Sequence, residues 1–84
     1  MAHVRAHILI EGAKQAAEFV SKMNSDGTAN KFFIESKSGS DRVNARSLLG
    51  VIYASTEYPN EMYLVNDTED GEFPVFINSY RFLG

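Results

Sequence analysis

The sequence predicts an α+β domain with elements in the order βαββαβα, an antiparallel sheet covered by helices on one face. Three observations predict it. Short segments alternate in polarity with a period of two; three other segments place apolar residues close together or at spacings of three and four; and turn-prone Gly, Asn, Ser and Asp residues separate them. The chain has 84 residues, of which 44% are apolar and 23% charged. A second core would need roughly another hundred residues, so residues 1–84 are read as one domain.

The first segment, His3 to Ile10, sets His3, Arg5 and His7 against Val4, Ala6, Ile8 and Ile10, the pattern of a half-buried strand. From Gly12 to Asn24, Ala13, Ala16, Ala17, Val20 and Met23 fall at helical spacing, with Phe19 widening the stripe. Asn24-Ser25-Asp26-Gly27 ends this helix, because Asn and Gly tolerate the left-handed conformation of many helix ends. Lys31 to Lys37 puts Phe32 and Ile34 on one face of a strand and Phe33 and Glu35 on the other. Ser38-Gly39-Ser40-Asp41 then turns the chain into a short arm, Arg42 to Ala45, with Val43 and Ala45 inward.

Ser47 suits an N-cap, and behind it Leu48, Leu49, Val51, Ile52 and Tyr53 make a very apolar turn or short helix. Gly50 interrupts that run. Glycine costs a helix about 1 kcal/mol relative to alanine, so its presence implies close packing against a neighbouring element or a partner. Glu61 to Asn66 reads as a strand apolar on both faces, hence central. Finally Phe73, Phe76, Ile77, Tyr80 and Leu83 give one helical face, with Pro74 in the first turn and Asp67, Glu69, Asp70 and Glu72 upstream, near the positive helix end.

Composition excludes several functions. No cysteine means no disulfide framework and no thiolate metal or redox site, and the default compartment is the cytoplasm. No segment has the roughly 20 apolar residues of a membrane span, and Ile8 to Ile10 is too short for a signal peptide. A net charge of −3 without a basic cluster argues against binding nucleic acid through its phosphates. His3 and His7 lie roughly 13 Å apart along a strand, too far for one metal ion. Asn66 to Ile77 imitates a calcium loop at Asp70 and Gly71, but its twelfth position is Ile77 where a bidentate glutamate is required. No Gly-rich phosphate loop and no Ser-His-Asp order stands out, so neither an enzyme nor a metal or cofactor is expected.

One constellation is more specific. Ala16-Ala17-Glu18-Phe19-Val20 and Val43-Asn44-Ala45-Arg46-Ser47-Leu48-Leu49-Gly50-Val51-Ile52, in this element order, resemble HPr, the phosphocarrier family of the bacterial sugar phosphotransferase system. The resemblance spans essentially the whole chain. It implies an open-faced β-sandwich, a four-stranded antiparallel sheet in the order 1-4-2-3 with three helices on one side.

The resemblance departs at the family's catalytic histidine, which is followed two residues later by an arginine and then a proline. Alignment through Ala16-Ala17 puts Gly12, Lys14 and Gln15 there. Glycine has no side chain to accept a phosphoryl group, whatever help Lys14 offers, so carrier chemistry is expected to be lost. His7 could replace it only if the strand end curled toward the helix. Ser47 matches the serine that HPr kinase phosphorylates, next to Arg46 and at a helix N-terminus suited to an anion. The family's docking patch would comprise Leu48, Leu49 and Ile52 beside Arg46. The chain therefore reads as a regulatory or protein-binding module related to the sugar phosphotransferase system, with phosphotransferase-system or HPr-kinase-like proteins as the partners the resemblance implies, and as a monomer or weak homodimer. The alternatives are a carrier using a displaced histidine and a self-associating structural domain.

Overall fold

Alternation in the sequence becomes two faces of one sheet. The computed structural model describes residues 5–27, 30–68 and 72–83. In it β1 (Arg5–Ile8), β2 (Phe32–Glu35), β3 (Arg42–Asn44) and β4 (Met62–Asn66) form an antiparallel sheet in the order β1-β4-β2-β3. Ala6 lies opposite Leu64, Leu64 opposite Ile34, and Ile34 opposite Val43, an apolar row crossing all four strands. Together with Ile8, Phe32 and Met62 these residues form the sheet side of the core. The expected central position of β4 holds, since it pairs with both β1 and β2.

Helix α1 (Gly12–Ser25) covers this face with Ala16, Phe19, Val20 and Met23. Each large side chain fully removed from water contributes about 1.5–3 kcal/mol. The stripe is rotated from the expected one: Ala13 and Ala17 are exposed, and Phe19 sits at its centre rather than its edge. The larger ring commands the interior because it removes more apolar area than two alanines. Phe19 meets Phe76 and Tyr80 edge to face at 6.0 and 5.2 Å.

Helix α2 (Leu48–Glu57) is longer than a compact turn. It continues past Tyr53 because Ala54 is buried, and the Ser55 and Thr56 hydroxyls each donate to the Ile52 carbonyl at 2.9 Å. Tyr58 N–H then closes the last turn on Ala54 O at 2.9 Å.

The C-terminal helix is a correction. It is a six-residue 3₁₀ helix, Val75–Tyr80, that buries Ile77 and Tyr80. Pro74 lies outside it in an extended conformation, with ψ of 148°, rather than in the first turn. Leu83 leaves the expected face altogether and is 93% exposed. The reason is that the chain straightens after Tyr80 to pair with β1: Leu9 N–H donates to Tyr80 O at 2.7 Å and Phe82 N–H to His7 O at 2.8 Å. The antiparallel bridge between Ile8 and Arg81 lies between these bonds.

The strands are also shorter than the expected spans, reaching neither Ile10 nor Lys31 nor Ala45, although Ile10 and Ala45 are buried as expected. His3, Val4, Glu69, Asp70 and Gly71, which carry part of the possible metal pair and of the calcium-like run, lie outside the described residues. No helix among the described residues is long and apolar enough to cross a membrane.

Candidate functional site

The N-terminal end of α2 is built by its neighbours. Asn44 Oδ1 accepts from Arg46 N–H at 2.8 Å, which turns the chain out of β3. Ser47 then sits at the N-cap with extended backbone angles, and its Oγ accepts from Gly50 N–H at 3.2 Å. Ser47 is thus a structural cap in the state seen here. Gly50 packs as its sequence context implied: a Cβ there would meet Val43 Cβ at 3.2 Å and Asn44 O at 3.3 Å. This close approach presses α2 against β3.

Leu48 and Leu49 extend outward from that first turn, 42% and 81% exposed. Ile52 is half-buried and packs against the core, so it supports the patch and forms only part of its surface. Tyr53 extends the exposed apolar area by one turn from Leu49, with its hydroxyl donating to Asp41 Oδ2 at 2.9 Å. That bond raises the Tyr53 pKa. Sequence reading missed Tyr53 as part of the patch, although the i, i+4 spacing from Leu49 carries the signal.

Arg46 works inward. Its guanidinium donates to Met23 O and, at 3.2 Å, to Asn30 O, and meets Asp26 Oδ2 at 3.3 Å. It therefore meets the Met23 carbonyl in the last turn of α1, where the helix dipole favours a cation, and ties it to the Asn30 carbonyl just before β2. The Arg46 carbonyl in turn accepts from Asn24 Nδ2 at 3.3 Å. Nothing in the bare sequence marks this role, because its partners lie 16 to 23 positions away.

Gly12 stands at the opposite end of α1, roughly 16 Å from Met23 along the axis. Its φ is +81°, and open space surrounds the place a Cβ would take. Lys14 is exposed, while Gln15 is half-buried and its Oε1 accepts from Glu11 N–H at 2.8 Å. Gln15 thus holds the helix entry. The structure does not bring Gly12 and Ser47 together.

His7 remains in the strand, opposite Tyr63, so the strand end does not curl toward α1. It belongs to the sheet face away from the helices. There the His7 ring stacks between Tyr63 and Phe82, with centroids 4.5 and 4.4 Å away, and its Nε2 lies 2.9 Å from Asn60 O. Arg5 covers the Tyr63 ring at 4.3 Å and Arg42 the Phe33 ring at 4.5 Å. Glu35 pairs with Arg42 and approaches Arg5 Nε at 3.9 Å. The hydrogen bond to Glu35 raises the Arg42 pKa. This face is covered by its own side chains, well enough to leave Val65 only 1% exposed.

Beside the β2–β3 turn lies an open depression lined by Ser36, Lys37, Ser38, Ser40, Asp41 and Glu61. Its hydroxyls bond largely to one another, Ser38 Oγ to Ser40 Oγ at 2.8 Å, and no histidine stands beside them to activate an oxygen. Tyr58, at the C-cap of α2, keeps its hydroxyl buried, and desolvation pushes its pKa up from 10.0 to about 12.

Comparisons with protein-family models, with curated proteins and with solved structures find no match for this chain.

Proposed function

We propose that this chain is an HPr-like regulatory or protein-binding module without the phosphorylatable histidine, and that it docks protein partners through the start of α2. The observation that carries this reading is Leu49, 81% exposed on a helix otherwise anchored by Val51 and Ala54. Leu48 and Tyr53 on the same helix are exposed as well, and the close approach of Gly50 to β3 seats this end of α2 on the sheet. Apolar residues on a seated helix need less ordering on association than those on a flexible segment.

Three further features support the reading. The strand order β1-β4-β2-β3 agrees with the topology that the resemblance implies. At the position of the family histidine stands Gly12, and His7 is engaged on the other face of the sheet. Ser47 lies at the entry of an α-helix, where a phosphate would meet free N–H groups. Phosphorylation there would replace the neutral cap with a dianion beside Leu48, altering the patch without unfolding the helix.

The test is a titration of ¹⁵N-labelled chain with purified HPr kinase and with phosphotransferase-system proteins. Amide shifts concentrated at residues 47–53, and lost in Leu49→Asp, are expected. Binding that leaves these amides unmoved, or that Leu49→Asp leaves intact, overturns the docking assignment. Mass spectrometry after incubation with HPr kinase and ATP reads the regulatory part: a phosphate on Ser47 is expected, and its complete absence removes that mechanism.

A further inference from the structure

The exposed side of α2 carries a charge pattern as well as an apolar one. From Ser47 to Tyr80 the sequence holds no Lys, Arg or His, while Glu57, Glu61, Asp67, Glu69, Asp70 and Glu72 all fall within that span. Leu49, Tyr53 and Glu57 follow one another at intervals of four along α2, and all three are exposed. Two carboxylates stand beside Tyr53. Its hydroxyl donates to Asp41 Oδ2 at 2.9 Å, and that bond, with the charges of Asp41 and Glu57 behind it, raises the Tyr53 pKa.

Among the described residues no cation pairs with Asp41 or Glu57. The ion pairs lie elsewhere: Arg42 with Glu35 and Asp67, Arg46 with Asp26, and Arg5 near Glu35. Lys37 lines the open depression together with Asp41 and Glu61, one ammonium beside two carboxylates. Glu57 is also the last residue of α2, at the negative end of the helix dipole, in a last turn with no basic residue. Its own helix disfavours that carboxylate, and a cation from outside the chain relieves it.

We propose that this side of α2 receives an amphipathic basic helix of a protein partner, its apolar stripe on Leu49 and Tyr53 and its Lys or Arg residues facing Asp41 and Glu57. The inference rests on the docking reading of α2 and names the chemistry of the partner. Leu49 to Glu57 spans roughly 12 Å, about two turns, along which a second helix can lay its own stripe. The pattern is polar along the axis: apolar at Leu49, acidic at Glu57, so the cations of the partner lie toward the C-terminal half of α2. Other occupants meet a charge penalty. A second copy seated by this same surface brings its own Asp41 and Glu57 and no cation to balance them, and an anionic lipid surface meets the same repulsion.

The test titrates ¹⁵N-labelled chain with two model peptides patterned as amphipathic helices, one of leucine and lysine, the other with glutamate in place of every lysine. The lysine peptide is expected to shift the amides of residues 47–57, and the glutamate peptide to leave them unmoved. Glu57→Gln is expected to weaken binding of the lysine peptide about threefold and Glu57→Lys about tenfold, as for one exposed ion pair lost and one reversed. Leu49→Ser, which removes apolar surface without adding charge, is expected to weaken it as well. Glu57 and Leu49 are exposed, so these variants keep the fold, which circular dichroism checks. Equal or tighter binding of the glutamate peptide at residues 47–57 overturns the charge assignment while leaving the docking reading in place. Lysine-peptide binding that Glu57→Lys leaves intact, or that maps to residues 67–72 instead, overturns the proposal, as does association of residues 47–57 with phosphatidylglycerol vesicles. No shift with either peptide overturns it too, and the docking reading itself then stands or falls by the partner titration above, which is independent of these peptides.

Discussion

Gly50→Ala sets two effects of similar size against each other. Alanine is the better helix former by about 1 kcal/mol, and an unobstructed site would gain that amount. At Gly50 the new methyl carbon meets Val43 Cβ at 3.2 Å, Asn44 O at 3.3 Å and Ser47 Cβ at 3.5 Å. Asn44 O is backbone in β3, and Asn44 is paired with Phe33, so it cannot move without disturbing the sheet. Overpacking of this kind costs roughly 1–3 kcal/mol, so the net expectation is a loss of about 1 kcal/mol. For a domain of this size that corresponds to a fall in Tm of about 4–8 °C. Urea unfolding followed by circular dichroism measures the difference directly, with an unchanged slope showing that the denatured state is unaffected. A gain of about 1 kcal/mol would refute the close packing of α2 on β3, and with it the seating of the end of α2 that carries Leu48 and Leu49.

Other perturbations separate the patch from its supports. Ser47→Ala removes the acceptor for Gly50 N–H and is expected to cost about 1 kcal/mol in urea unfolding, whereas Leu49→Asp at an exposed site should change stability by less than about 0.5 kcal/mol. Phe19→Ala opens the centre of the core and is expected to cost about 3–5 kcal/mol, a large share of the roughly 4–12 kcal/mol that holds such a chain folded. Tyr58 supplies a pH signature. Its folded-state pKa is raised, so its stabilising contribution is complete below pH 10.0 and is lost as pH climbs toward about 12. Tyr58→Phe should flatten the fall in stability across that window; an unchanged profile would assign the fall to other groups.

Much of the sheet was legible in the sequence because each strand states its own burial pattern. Ala6, Ile8, Phe32, Ile34, Met62 and Leu64 are inward, as alternation requires. The cap at Ser47 and the close packing of Gly50 were legible for the same reason, being local chemistry. What escaped is non-local. The pairing of residues 80–82 with β1 overrides the helical spacing of Tyr80 and Leu83, since edge backbone groups gain more from a strand partner than a frayed helix end offers. The reach of Arg46 to Met23 and Asn30 and the stacking of His7 on Phe82 likewise depend on the finished topology. At the candidate site, Leu48 and Leu49 were readable as too apolar for one small core, but only the structure separates them from the half-buried Ile52.

The proposed docking function requires no phosphate on an imidazole. Incubation with purified enzyme I and phosphoenolpyruvate, followed by intact-mass and peptide mass spectrometry under alkaline conditions that preserve phosphohistidine, tests it most directly. The predicted result is an unmodified chain, with both imidazoles free of phosphate. An acid-labile phosphate on His7 or His3, formed at a rate comparable to that of an HPr carrier under the same conditions, would contradict it.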